Sequence, residues 1–160
     1  MSLISKIQSK GAAMSAIKET VEISRRPEDV YAYMADPTHM GEWQESVVSV
    51  RPTDDMPPHV GSRTVVTRRV KGRELTMTTQ IDAMDPPRTF KSHGLDGPVR
   101  PQFTAVVEPI DNGEHSRVTM SLDFEAHGMG KVLTPLVVRP SARKEMPRNE
   151  RRLKEILEQG

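Results

Sequence analysis

The chain has 160 residues, with 23 Lys and Arg against 22 Asp and Glu, a formal net charge of +1. That length suits one domain with one sizeable core, and the near-even charge removes any global field for nucleic acid or an anionic membrane. Cysteine is absent, which excludes disulfides, thiolate nucleophiles and zinc–thiolate sites and fits a reducing cytoplasm.

No apolar run is long enough to span a bilayer, and Met1–Ala13 lacks the apolar block of a signal peptide. A cytoplasmic protein without stable membrane insertion is expected. Residues 1–15 read as an N-terminal extension and residues 16–160 as a single domain. From Ala16 to Ser24, Ile17, Val21 and Ile23 alternate with Lys18, Thr20 and Glu22, the pattern of a half-buried strand. Pro27 then suits a first helical turn, Glu28 and Asp29 favour its positive end, and Val30, Tyr33 and Met34 make an apolar face. Asp36-Pro37 stops that helix and caps a second short one ending near Trp43.

Strands follow. Ser46 to Pro52 leads into a loop broken by Pro57, Pro58 and Gly61; Arg63 to Val70 alternates again, and Lys71-Gly72 makes a tight reversal. From Arg73 to Met84 the pattern puts Leu75, Met77, Thr79, Ile81 and Ala83 on one face. Further strands are predicted over Arg88 to Leu95, Val99 to Ile110 and His115 to Ala126. The last has Val118, Met120, Leu122, Phe124 and Ala126 inward. Seven strands joined by hairpin-length loops imply antiparallel pairing in chain order.

After a helical approach interrupted by Gly128, Gly130, Pro135 and Pro140 comes the most one-sided stretch, Ser141 to Gln159. On a helix, Ala142, Met146, Asn149, Leu153, Ile156 and Leu157 share one stripe, while Lys144, Arg148, Arg151, Arg152, Glu155 and Glu158 lie opposite. Such a helix must lie on an apolar surface, and the strands supply one. Glu150–Lys154 has the favourable order for a helical ion pair, and Pro147 removes one backbone hydrogen bond. The fold class is α+β, with a long C-terminal helix across a seven-stranded sheet and two short helices between the first two strands.

That element order resembles the START/Bet v 1-like superfamily, the helix-grip fold, in its polyketide cyclase/dehydrase-like branch. The segment VEISRRPEDVYAYMADPTHMGEWQESVVSV is similar to the opening of that branch, VGSRTVV to its third strand, and GMGKVLTPLVVRPSARKEMPRNERRLKEILE to its ending. The resemblance implies a curved sheet wrapped around the last helix, and a role in binding lipids, sterols, hormones or polyketides, with a minority of members catalysing cyclisation or dehydration.

A curved sheet with a helix across its hollow leaves a pocket where side chains do not fill the gap. The expected lining is Trp43, Met77, Thr79, Met120, Leu122 and Phe124, joined from the C-terminal segment by Met129, Leu133, Met146, Asn149 and Leu153. Asn149 on an apolar stripe needs a hydrogen-bond partner, whether a guest's oxygen, trapped water, solvent or a strand carbonyl. His93 is the one histidine within a candidate lining strand and has the intrinsic pKa of a general acid or base; which face of its strand points inward is open. Arg68 and Arg69 point to opposite faces, so one of them faces inward; Arg69 joins His93 as a candidate for catalysis. No histidine pair has metal-ligand spacing, so neither a metal nor a cofactor is expected, and no nucleic-acid partner. The leading reading is a carrier or sensor of a small hydrophobic molecule, a homodimer being left open. An enzyme resembling polyketide cyclase/dehydratases and a protein-interaction module with a filled core are the alternatives.

Overall fold

The computed structural model describes residues 16–160; the expected extension over residues 1–15 lies outside the described residues. Seven strands form one antiparallel sheet: β1 (Ile17–Ile23), β2 (Val47–Pro52), β3 (Arg63–Val70), β4 (Arg73–Asp85), β5 (Thr89–Gly94), β6 (Val99–Ile110) and β7 (His115–Ala126). Their order is β1-β7-β6-β5-β4-β3-β2, so every neighbour except β1 and β7 is also adjacent in sequence. Helix α1 (Pro27–Met34), a 3-10 turn (Pro37–His39) and α2 (Met40–Trp43) connect β1 to β2. Helix α3 (Gly130–Leu133) and a π-helical turn (Thr134–Val138) lead from β7 into α4 (Arg139–Gln159).

Alternation decides which side of the sheet is covered. Polar pairs occupy the open face: Thr20 with Thr119, Thr67 with Thr76, and Arg117 with Glu22. The covered face carries Ile81, Phe90, Ala105, Val107, Val118 and Met120, all buried in one core with Val30, Tyr31 and Trp43 from the helical crossover and Leu153 and Leu157 from α4. The Lys71-Gly72 reversal has positive φ at both residues (52° and 77°), the backbone that a two-residue hairpin requires.

Three local expectations are corrected. In α1 the buried positions are Pro27, Val30, Tyr31 and Met34, a three–one–three spacing; Tyr31, not Tyr33, faces the sheet and its hydroxyl donates to Thr89 O at 2.8 Å. In β4 a bulge falls between Ile81 and Ala83: Ile81 pairs with Ser92 but Ala83 with Lys91 and Met84 with Phe90. The extra residue reverses the alternation, so Met84 rather than Ala83 packs on the core. In α4 the buried residues are Arg139, Met146, Glu150, Leu153 and Leu157. Glu150 therefore points at the sheet and forms no pair with Lys154, whose ammonium instead reaches Glu158 at 2.8 Å and Glu22 O at 2.7 Å.

Both ends of α4 are tied down. At its C-terminal end Arg25 Nη1 donates to Leu157 O at 2.7 Å, and Ser24 N–H to Glu158 Oε2 at 2.8 Å. At its start the Arg139 guanidinium is buried and paired with Asp123. The helix thus crosses the sheet from the end where β3 turns into β4 to the end where β1 turns into α1.

Candidate functional site

The core fills the half of the sheet–helix gap under Leu153 and Leu157. The other half, under the first turns of α4, stays open as a cavity of about 150 Å³ lined mainly by apolar side chains. Volumes of that class hold a guest the size of one benzene ring, so anything larger requires the walls to shift. Met34, Met40, Met77, Met120 and Met146 all lie on the wall, and flexible thioethers allow such shifts.

Of the residues singled out in the sequence, Trp43, Met77, Thr79 and Met120 line this cavity, as do Leu122, Phe124, Met146 and Asn149. The others do not. Leu153 is fully buried in the packed half and Leu133 is half-buried away from the lining. Met129 is 67% exposed. The reason is Gly130: a β-carbon there would stand 1.7 Å from Pro98 O, so this glycine is the point where the segment lies against the β5–β6 loop. The inward positions are then Gly130, Thr134 and Val138, and Met129 is rotated off them by about 100°.

His93 is also outside. Phe90 and Ser92 take the inward side of β5, and His93 shares the open face with Asp82, Nδ1 to Oδ2 2.6 Å. Arg69 points outward to Glu74 at 2.7 Å, which leaves Arg68 as the inward arginine. Neither proposed catalytic candidate reaches the cavity.

Arg68 anchors a polar cluster set into one wall. Its guanidinium donates to Ser46 Oγ at 3.0 Å and to Gln44 Oε1, and Nη1 lies 4.0 Å from Glu145 Oε2. That carboxylate oxygen accepts from Ser46 N–H at 3.1 Å, Ser46 O–H at 3.0 Å and Asn149 Nδ2 at 2.8 Å. Asn149 Oδ1 in turn accepts from Glu45 N–H at 2.9 Å. Burial pulls the Arg68 guanidinium below its usual pKa, and the Glu145 charge works against that pull. Glu145 escaped the sequence reading although Ala142, Glu145 and Asn149 are spaced three and four apart, the signal that marks one helix face.

Two further polar atoms in the lining, Trp43 Nε1 and Ser141 Oγ, are buried without a hydrogen-bond partner among the described residues. A buried donor left unpaired costs about 1–3 kcal/mol, so each is suited to an acceptor brought by a guest. No group of three His, Asp or Glu side chains placed to hold a metal ion occurs among the described residues.

Comparison with known proteins agrees with this geometry. No curated protein matches the sequence. Among solved structures, a protein from Thermus thermophilus is 19% identical with a TM-score of 0.72, over 89% of this chain and 96% of that one. The Zhui aromatase/cyclase from Streptomyces sp. R1128 is 16% identical with a TM-score of 0.72, over 89% and 93%. A START superfamily protein from Mycobacterium smegmatis is 15% identical with a TM-score of 0.69, over 90% and 97%. These likenesses establish the helix-grip fold. The family model described as polyketide cyclase / dehydrase and lipid transport matches residues 14–158, nearly the whole sequence, and the chain belongs to that family.

Proposed function

We propose that the protein binds a small, mainly apolar molecule carrying at least one oxygen acceptor, held between the sheet and the first turns of α4. The observation that carries this reading is the combination in one cavity of methionine-rich apolar walls with the unpartnered Trp43 Nε1 and Ser141 Oγ. Both atoms face a space that an oxygen-bearing guest could enter, and pairing with that oxygen would remove the cost of leaving them buried and unpaired. The family description, with its lipid transport and polyketide terms, supports the same chemical class.

Trp43 is the chain's one tryptophan and stands in the cavity wall, so its emission reports directly on occupancy. Titration with a naphthol is expected to change that emission saturably. Ala142→Phe, which places a ring in the lining, is expected to weaken the effect at least about tenfold, since it removes the volume the guest needs. No saturable change with naphthols, fatty acids or sterols, together with no adduct in native mass spectrometry of protein purified from its own host, would overturn the reading.

A second reading, cyclase/dehydratase-like catalysis, is favoured by the opposed charges of Arg68 and Glu145 on the cavity wall, and by likeness to a protein described as an aromatase/cyclase. In that case Glu145 moves the proton and Arg68 holds the developing oxyanion. Glu145→Gln separates the two: a binder keeps its naphthol affinity and has no turnover to lose, whereas an enzyme loses turnover with binding retained.

A further inference from the structure

The chain is close to neutral, but its charge and its exposed apolar surface are unevenly placed. Met129, Val132 and Leu136 are 67%, 61% and 71% exposed, and their spacing of three and four puts them on one side of the segment joining β7 to α4. The opposite side of that segment supplies Val138 to the cavity wall, so the outward apolar row sits over the guest's compartment.

The charges around this row are mainly positive. Between Glu125 and Glu145 the sequence has no acidic residue, while Lys131, Arg143 and Lys144 are exposed there. The β3–β4 turn lies at the same end of the sheet, because Val70 pairs with Arg73 where β7 leaves the sheet at Ala126 opposite Val99; it adds exposed Lys71 and Arg73. None of these five cations has an ion-pair partner among the described residues. Of the carboxylates nearby, Glu74 is paired with Arg69 and Glu45 with Arg148, while Glu125 meets His127 and Asp96 accepts from Thr78 N–H, so the five cations outnumber the two carboxylates without an arginine or lysine partner.

We infer that this end of the molecule docks on the surface of an anionic lipid bilayer, with Met129, Val132 and Leu136 entering the acyl boundary and Lys71, Arg73, Lys131, Arg143 and Lys144 facing the headgroups. An apolar row flanked by cations is the pattern of an interfacial helix, in which neither signal suffices alone. No helix among the described residues is long and apolar enough to cross a membrane, so the contact is peripheral. A second copy of the chain is a poorer occupant, since apposing two such faces brings like charges together. None of these eight side chains lines the cavity, so docking does not depend on any guest being bound.

The test is co-sedimentation of the full chain with vesicles of phosphatidylcholine alone, or of equal parts phosphatidylcholine and phosphatidylglycerol. Binding to the anionic vesicles only, weakened by salt, is expected. Leu136→Asp, and separately the pair Lys131→Glu with Lys144→Glu, should each reduce partitioning at least about tenfold. Met56→Asp, in the β2–β3 loop at the other end of β3 and 63% exposed, should leave it unchanged. All these positions are at the surface, and circular dichroism checks that each variant keeps its fold. Failure to bind anionic vesicles, binding that survives Leu136→Asp, or a dimer in lipid-free sedimentation that Leu136→Asp dissolves would each overturn the proposal, the last by assigning the face to a second copy.

Discussion

Asn149 Nδ2 donates to Glu145 Oε2 at 2.8 Å, one helical turn back along α4, and this contact turns an apolar stripe into a polar wall. The same asparagine accepts from Glu45 N–H, so it joins the helix to the segment that leads into β2. Asn149→Leu removes both bonds and leaves a backbone donor and a carboxylate oxygen short of partners. A loss of about 1–2 kcal/mol in urea denaturation is expected. Stability equal to that of the parent protein would show that solvent replaces both bonds at no cost.

Arg68 and Glu145 lose more apart than together. Arg68→Met leaves the Glu145 carboxylate, 14% exposed, facing a cavity without its cation, and a loss of about 3 kcal/mol is expected. The double variant Arg68→Met with Glu145→Met removes both charges from the wall. It should be more stable than the sum of the single losses predicts, by about 1 kcal/mol or more, as a double-mutant cycle measures. Additive losses would mean that the two charges, 4.0 Å apart, do not sense each other.

Gly130 tests why the lead-in to α4 lies where it does. The methyl of Gly130→Ala would fall 1.7 Å from Pro98 O, a backbone atom that cannot swing aside, so the segment must lift from the β5–β6 loop. A cost of at least about 2 kcal/mol and a change in Trp43 emission are expected. Gly128→Ala is the comparison: its φ of +55° strains an alanine, but nothing lies within 4 Å of the new carbon. That variant should lose about 1 kcal/mol and leave Trp43 emission alone.

The same contact shows where sequence ceases to inform. β6 and β7 run as expected, Val99–Ile110 and His115–Ala126, because alternation is long and the Asp111-Asn112-Gly113 turn marks their junction. β5 is harder: its two candidate faces, Phe90 with Ser92 and Gly94 against Thr89 with Lys91 and His93, are both mixed in polarity, and only the pairing of Ser92 with inward Ile81 decides between them. Met129 and Leu133 read as interior because they are apolar. What turns them aside is a glycine lying on a proline 32 residues earlier, a relation that no local period encodes. Arg68 was legible only as one of two adjacent arginines, since alternation fixes that they diverge but not which turns inward.

Glu150 makes the pH dependence of stability specific. It lies on the buried face of α4, 3% exposed, and its Oε2 has no partner among the described residues. Burial, with the nearby Glu19 charge adding to it, pushes its pKa up from 4.5 to about 8. In the unfolded chain the same carboxyl titrates near its ordinary value. Below pH 4.5 both states hold the proton and the group costs nothing; as pH rises toward 8 the unfolded state releases it first, and stability falls; above 8 both are ionised and the full penalty applies. One pKa unit is worth about 1.4 kcal/mol, so that penalty is at most on the order of 5 kcal/mol. Glu150→Gln keeps the shape without the charge. Its stability should match the parent's near pH 4.5 and exceed it increasingly toward pH 8, while Glu19→Gln should shift the parent's decline to higher stability across the same window. Parallel curves for parent and Glu150→Gln in urea denaturation from about pH 4.5 to about pH 8.5 would mean that the carboxylate ionises in the fold without penalty, by drawing in water or by swinging out from under α4.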